Sequence, residues 1–434
     1  MPFKSQISNL KFQIPKPQFF KSQISDFKFQ ILLLASLSLA VGCSSLGISR
    51  KSAHPGRSAK VLSGLDVLVR DDFSQLKGKK IGLITNHSAL TRDGKHILDV
   101  MTASGNVKIV ALFGPEHGLR GTADEKVTNS IDEKTGLPIY SLYGETRRPT
   151  PEMLKGVDTL VFDIQDIGAR FYTYISTMAM AMEEAKKNNL EFIVLDRPNP
   201  IGGLYVAGPS QDPDLYGTFT NYFPMPITHG MTIGELATMF NRTFGIDCKL
   251  TVIKMQGWRR DLYFDQTGLP WVNPSPNIRN VNEEILYPGI ALVEGTNVSV
   301  GRGTDAPFEL VGAPYIYAEE LTRQMNSYQL PGVKFEPATF EPKGSQFSGK
   351  QCQGMRVHIT DRESFDTVRT GLFLVSALQK LYGKTFEIDK LRGLIGSGKV
   401  IAQIKQDVPV DVIITGYRPA LSAFSNDRLQ HLLY

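Results

Sequence analysis

The stretch LFGPEHGLRG, Leu112 to Gly121, sets a carboxylate (Glu116), an imidazole (His117) and a guanidinium (Arg120) within five residues, where the apolar run VKIVALF (107–113) ends. Gly114, Gly118 and Gly121 would let backbone approach a ligand closely. Such a set can hand a proton to a leaving oxygen; Glu116 could equally pair with Arg120. Three further apolar runs end in the same way. KIGLIT (80–85) leads into Asn86 and His87. DTLVFDI (158–164) carries Asp163 and is followed by Gln165, Asp166 and Arg170. EFIVLD (191–196) ends at Asp196, followed by Arg197 and Asn199. Plainer roles exist for each: Asp163 and Asp166 could cap a helix or pair with Arg170, and Asp196 could bridge to Arg197. Four such clusters at four successive run ends point to an active site.

The elements that position them follow from periodicity. Continuous apolar runs of this length read as strands buried on both faces of a parallel sheet. Helices are predicted between them: 93–104, with Ile97, Leu98 and Met101 at helical spacing; one opening at Thr150 and Pro151; and 174–189, whose Ile175, Met178, Met182 and Ala185 form a core-packing stripe. Strands alternating with helices imply an α/β fold, Rossmann-like in layout, with helices on both faces of the sheet. Ligands of such sheets bind beyond the carboxyl ends of the strands. No G-x-G-x-x-G follows the first run, so a dinucleotide is not indicated.

A second, smaller α/β unit is expected from residue 223. It would hold a helix at 232–245 with Thr232 and Glu235 as a capping box, a strand at 250–255, and a helix at 364–383 capped by Ser364. Residues 256–312 are rich in Gly and Pro without a regular period, which in a folded chain usually marks function. They add Asn277, Glu294, Asn297, Arg302 and Glu309 to the candidates. Residues 384–420 also look irregular. The expected division is a leader at 1–43, a linker at 44–60, a Rossmann-like domain at 61–222 and the second domain at 223–434.

The formal charge of the 434 residues is +5, but residues 1–42 hold five lysines against one aspartate, a net of +4. About +1 is left for the remainder, with no basic stripe, so nucleic-acid binding has no electrostatic support. The leader ends in ILLLASLSLAVGC, too short an apolar run to span a bilayer comfortably. Small residues before Cys43 read as a bacterial lipoprotein signal with Cys43 lipidated; the alternative is a plain secretory signal. Export and a lipid anchor would place the protein in the periplasm or cell envelope. FKSQISNLKFQI at 3–14 recurs almost unchanged at 20–31. Cys248 and Cys352 sit in no metal-ligand spacing and could be free or, outside the cytoplasm, bonded.

No G-x-S-x-G occurs, and His87, His117 and His229 have no evident serine partner. No spaced His pair marks a metal site. The glycines of GTNVSVGRGT lack the Lys-Ser/Thr of a phosphate loop. Paired carboxylates with several donors fit glycoside hydrolysis, where an acid protonates the leaving oxygen and a second group attacks or stabilises the anomeric centre. Trp258, Trp271, Tyr172 and Tyr174 would offer flat surfaces to a sugar.

Taken together, LFGPEHGLRG, RRPTPEML, VFDIQDIGARFYTY, LDRPNPIGG, HGMTIGELA, TGLPWVNPSPNI, YPGIALVEGTNVSVGRGTDAPFE and the closing LLY resemble the bacterial exo-β-N-acetylmuramidases, long catalogued as a domain of unknown function. The resemblance spans about residues 62–434. It implies a Rossmann-like domain plus a smaller α/β domain with the site between them. It also implies removal of N-acetylmuramic acid (MurNAc) from the non-reducing end of peptidoglycan fragments such as MurNAc-GlcNAc, without a cofactor. Carried onto this sequence, Glu116 would be the general acid and Asp163 or Asp166 the second carboxylate, with His117 and Arg170 in support. Arg170 or Arg302 would bind the lactyl carboxylate of muramic acid. Asn86, His87, Arg120, Gln165, Tyr172, Asn277 and Glu309 would line the substrate. Direct attack, an activated water and participation by the substrate's acetamido group all remain open. Two other readings are a non-catalytic lipoprotein that binds muropeptides in the same cleft, and a metal-dependent amidase or esterase.

Overall fold

The computed structural model describes residues 60–119 and 128–434. The leader, the Cys43 lipidation site, nearly all of the linker and Arg120 lie outside them.

A seven-stranded sheet holds β1 (Lys80–Thr85), β2 (Lys108–Gly114), β3 (Ser130–Ile131), β4 (Pro138–Ser141), β5 (Thr159–Asp163), β6 (Glu191–Leu195) and β7 (Lys249–Ile253), in the order β3-β4-β2-β1-β5-β6-β7. All pairs are parallel except β3 with β4. Leu83, Val161 and Ile193 pack on one face of this sheet, and Phe113, Phe162 and Phe192 on the other, in two separate apolar clusters. That double burial is why the strands read as unbroken apolar runs. A second, antiparallel sheet has the order β8 (Leu310–Ala313), β10 (Cys352–Ile359), β9 (Val333–Phe340).

The helices are α1 (Gly64–Arg70), α2 (Ile97–Ser104), α3 (Tyr174–Lys187), α4 (Ile233–Arg242), α5 (Val281–Ile290), α6 (Ala318–Ser327), α7 (Thr367–Tyr382), α8 (Arg392–Ile395), α9 (Gly398–Lys405) and α10 (Val410–Arg428). The methionine stripe of α3 is core: Met178 and Met182 are fully buried. α4 carries the expected capping box of Thr232 and Glu235.

Several expectations are corrected. The strand assigned to the second unit is β7, which pairs with β6 at the edge of the large sheet, and α4 packs on β6 and β7. A boundary at 222/223 therefore cuts the sheet layer. Thr150 starts a single turn rather than a helix. α7 is capped by Asp366, whose carboxylate accepts from the Arg369 amide at 2.7 Å, while Ser364 donates to Asp361. The stretch 256–312 contains α5 and most of β8, and 392–428 is mostly helical. α5 escaped notice because Pro288 and Gly289 lie in its last turn. Gly289 is there for contact: a Cβ on it would fall 1.9 Å from the Thr367 carbonyl oxygen of α7, so only glycine lets the two helices cross this closely. Cys248 and Cys352 are both free and buried, and burial raises both thiols to about 11.

Candidate active site

β1 is flanked by β2 on one side and β5 on the other, so the chain's winding reverses there. A parallel sheet opens a crevice at such a point, beyond its carboxyl ends. Glu116 lies there, two residues past β2. Gly118 donates its amide to the Pro115 carbonyl at 2.9 Å, and the tight turn puts His117 at φ 67, a left-handed conformation uncommon outside glycine.

Two hydroxyls hold the Glu116 carboxylate. Thr173, the residue before α3, donates to Oε2. The Tyr143 hydroxyl is its second partner; burial first, and then Glu116, push that phenol up to about 12. Tyr143 lies two residues past β4, at the same sheet edge. The short strand follows Gly136 and opens with Pro138, so no period betrayed it and Tyr143 was missed. Behind Glu116 stand Tyr172, Tyr174 and Tyr287, with ring centroids of Tyr172 4.8 Å from Tyr174 and 5.9 Å from Tyr287, edge to face. All three phenols are pushed up, chiefly by burial and additionally by the Glu116 charge. Tyr287 comes from α5, so the site joins the sheet edge to the C-terminal half.

Glu294, after α5, is a second carboxylate within electrostatic reach of Glu116. It pairs with Arg302, and its side chain keeps 21% exposure. Burial raises its pKa, against the pull of Arg302. Arg302 is thus in the cluster, but bound to a protein carboxylate.

Asn86 is fully buried. It donates to the Tyr174 hydroxyl at 3.0 Å and accepts from Ser88, so it fixes the tyrosines rather than lining a cleft. The Tyr172 and Tyr174 hydroxyls both reach the Pro274 carbonyl, at 3.0 and 2.9 Å. His87 Nε2 lies 2.6 Å from the Asn273 carbonyl, and burial lowers its pKa. These contacts tie loop 269–279 to the site. Asn277 is buried in that loop, its amide on Ser275 Oγ. Gln165 donates to the Asp166 and Pro198 carbonyls, while its own Oε1 lacks a partner among the described residues.

Five of the singled-out residues meet partners other than those expected. Asp163 has no exposure and is gripped by Arg197, with Nε–Oδ1 2.5 Å and Nη2–Oδ2 2.9 Å. Its partner is Arg197 rather than Arg170. Arg170 is buried and donates to the carbonyls of Pro209, Met225, Leu394 and Ile395 at 2.7–3.1 Å, tying the sheet to α8. Burial lowers it to about 9, which leaves it charged at neutral pH. Glu309 turns to Arg356 at 2.9 Å. Trp258 is buried against Tyr434, with centroids 5.4 Å apart, and offers no face to a sugar. Asp196, finally, takes the Arg197 amide, not its guanidinium; it also accepts from Thr232, Gly234 and Tyr434, and burial raises it to about 7.

Asp166 stands apart. Oδ2 accepts from the Gly168 amide at 2.9 Å, Oδ1 has no partner among the described residues, and burial raises the group to about 7. Its charge bears on Tyr174, Tyr287 and the fully buried Glu284, whose own pKa burial drives well up. His229 Nε2 lies 3.7 Å from Asp166, and burial lowers that imidazole to about 3. Among the described residues no three His, Cys, Asp or Glu side chains gather as ligands for a metal ion.

Comparison with known proteins matches the chain to a family. The family described as exo-β-N-acetylmuramidase NamZ matches in both its parts, the N-terminal over residues 81–282 and the C-terminal over 285–434. The chain belongs to the exo-β-N-acetylmuramidase family. A relative from Bacillus subtilis (strain 168), peptidoglycan β-N-acetylmuramidase NamZ, is 49% identical over 398 residues, 89% of this chain and 96% of the relative. Two crystal structures of DUF1343 family proteins from Bacteroides fragilis share the fold. One has 37% identity and a TM-score of 0.81, covering 87% of this chain and 99% of its own. The other has 32% identity and a TM-score of 0.70, covering 86% and 99%. The family's two parts meet between residues 282 and 285, so Glu116, Tyr143 and Thr173 come from the first and Tyr287, Glu294 and Arg302 from the second.

Proposed function

We propose that this exo-acting glycoside hydrolase of the muramidase family releases MurNAc from the non-reducing end of peptidoglycan fragments, with MurNAc-β-1,4-GlcNAc as its smallest substrate. The observation that carries the reading is Glu116, held by Thr173 and Tyr143 at the switch point of the sheet, with a second carboxylate and a guanidinium close by. Glu116 protonates the glycosidic oxygen, a transfer that contributes about 10²–10⁴ in rate. Of the possible second groups, Asp163 is neutralised by Arg197 and Asp166 is nearly enclosed. Glu294 is the partly exposed carboxylate whose charge reaches Glu116, and with Arg302 it is placed to steady the sugar as positive charge develops. His117, on its left-handed turn, orients the Glu116 loop.

The test uses protein beginning at residue 44, incubated with MurNAc-β-1,4-GlcNAc, with free MurNAc read by mass spectrometry. Release by the wild type, and loss of about 10³-fold in Glu116→Gln, supports the reading. A bound but uncleaved disaccharide would sink it in favour of a muropeptide-binding lipoprotein. Export and lipidation at Cys43 belong to the same proposal, since the cell-wall polymer lies outside the inner membrane. Mass spectrometry of the mature N-terminus, with Cys43→Ala as control, checks them; an unmodified Cys43 rules the anchor out.

A further inference from the structure

Loop 269–279 is anchored to the site through Asn273 and Pro274, and it carries a second feature. Two residues before Asn273, Trp271 walls a cavity of about 320 Å³ that Arg279 also lines. The indole is set firmly. Phe264 meets it edge-on at 5.4 Å and 84°, and Nε1 donates to Asn273 Oδ1 at 2.9 Å. It is only partly buried, so a ring face can still be covered. Arg279 also lines a larger cavity of about 730 Å³, which it shares with Gly303 and Thr304, the residues after Arg302. The two hollows therefore adjoin at one arginine and run from the loop that holds His87 toward the loop that holds Arg302.

The arginines along this path differ in one respect. Arg362 is bound to Asp265 at 2.8 Å and to Asn282. Arg356 is bound to Glu309. The Arg279 guanidinium makes no hydrogen bond or ion pair among the described residues; its charge bears on Glu283 through space. The larger cavity carries charges of both signs, so selectivity rests with Arg279 and the indole beside it. An aromatic face next to an open guanidinium suits a sugar ring that bears a carboxylate. The volume lies in the range of small-ligand sites.

We propose that the Trp271–Arg279 cavity is a subsite for the leaving-group side of the glycan, which stacks one sugar on Trp271 and takes a sugar carboxylate on Arg279. The inference rests on the muramidase reading. In a strand of alternating neutral and lactyl-bearing sugars, the second sugar beyond the cleaved bond again carries a carboxylate. The subsite thus favours chains longer than a disaccharide.

The experiment compares MurNAc-GlcNAc with its tetrasaccharide, (MurNAc-GlcNAc)₂. Arg279→Gln should lower kcat/KM for the tetrasaccharide about tenfold, equivalent to about 1.4 kcal/mol, and leave the disaccharide within twofold. Equal losses on both substrates, or none on either, overturn the proposal. A second measurement needs no turnover. In Glu116→Gln, the tetrasaccharide should shift tryptophan fluorescence and the disaccharide should not. The shift should vanish with Trp271→Phe, because Trp258 is buried. If the wild type cleaves neither substrate, the activity reading has failed. The subsite then stands if the tetrasaccharide alone shifts Trp271, and falls if it does not.

Discussion

Asp163→Ala separates a structural carboxylate from a catalytic one. The Asp163 carboxylate has no exposure, and its partner Arg197 keeps 5% at its side chain. The two are joined twice, at 2.5 and 2.9 Å. Among the described residues the Arg197 guanidinium has one other partner, the Leu90 carbonyl, at 3.1–3.2 Å. Removing the carboxylate strands a buried guanidinium on that carbonyl, and breaking a buried pair from one side costs about 3–5 kcal/mol. The double variant Asp163→Ala/Arg197→Met removes the stranded charge as well. It should recover at least about 1 kcal/mol relative to the single variant, a coupling typical of residues in direct contact. Urea denaturation with linear extrapolation measures both. MurNAc release per folded molecule should stay within a few-fold of wild type in each. A single variant that unfolds like wild type but releases no MurNAc, as Glu116→Gln should, would refute the argument and return Asp163 to the chemistry.

Three further outcomes are expected. Tyr143→Phe removes one of the two hydroxyls on Glu116; kcat/KM for the disaccharide should fall about tenfold, roughly 1.4 kcal/mol, with little change in melting temperature. Tyr434→Phe deletes a hydroxyl that donates to Asp196 at 2.7 Å and accepts from the Met255 amide at 2.7 Å, so stability should fall by about 1–3 kcal/mol in a denaturant titration. Asp166 is raised to about 7 in the folded chain, above the value of about 3.9 expected when unfolded. Between those values the folded protein holds a proton that the unfolded chain has released. This contribution to stability is complete below about pH 4 and is lost as pH rises toward 7. Asp166→Asn should therefore gain stability relative to wild type across that window; a flat difference would show that Asp166 is ionised throughout.

The four central strands and their polar ends were legible in the sequence because burial on both faces demands unbroken apolar runs, and a parallel sheet presents all its carboxyl ends to one side. That reasoning reaches Glu116 from its chain position alone. It also brings Asn86, His87 and Asp163 to the same edge, but not to the same role. A strand end fixes where a residue emerges, not which charge it meets. Asp163 meets Arg197 from the next strand, and Arg170 meets carbonyls of α8 more than two hundred residues later. Tyr143 stayed hidden because β4 is four residues long, and Tyr287 because Pro288 and Gly289 blur the period of α5. Residue type, local period and the edge of the sheet are properties of neighbours along the chain, so the sequence alone determined them. The partners of each carboxylate depend on chain closure over long separations and on which groups that closure strips of water, and only the tertiary structure decided those.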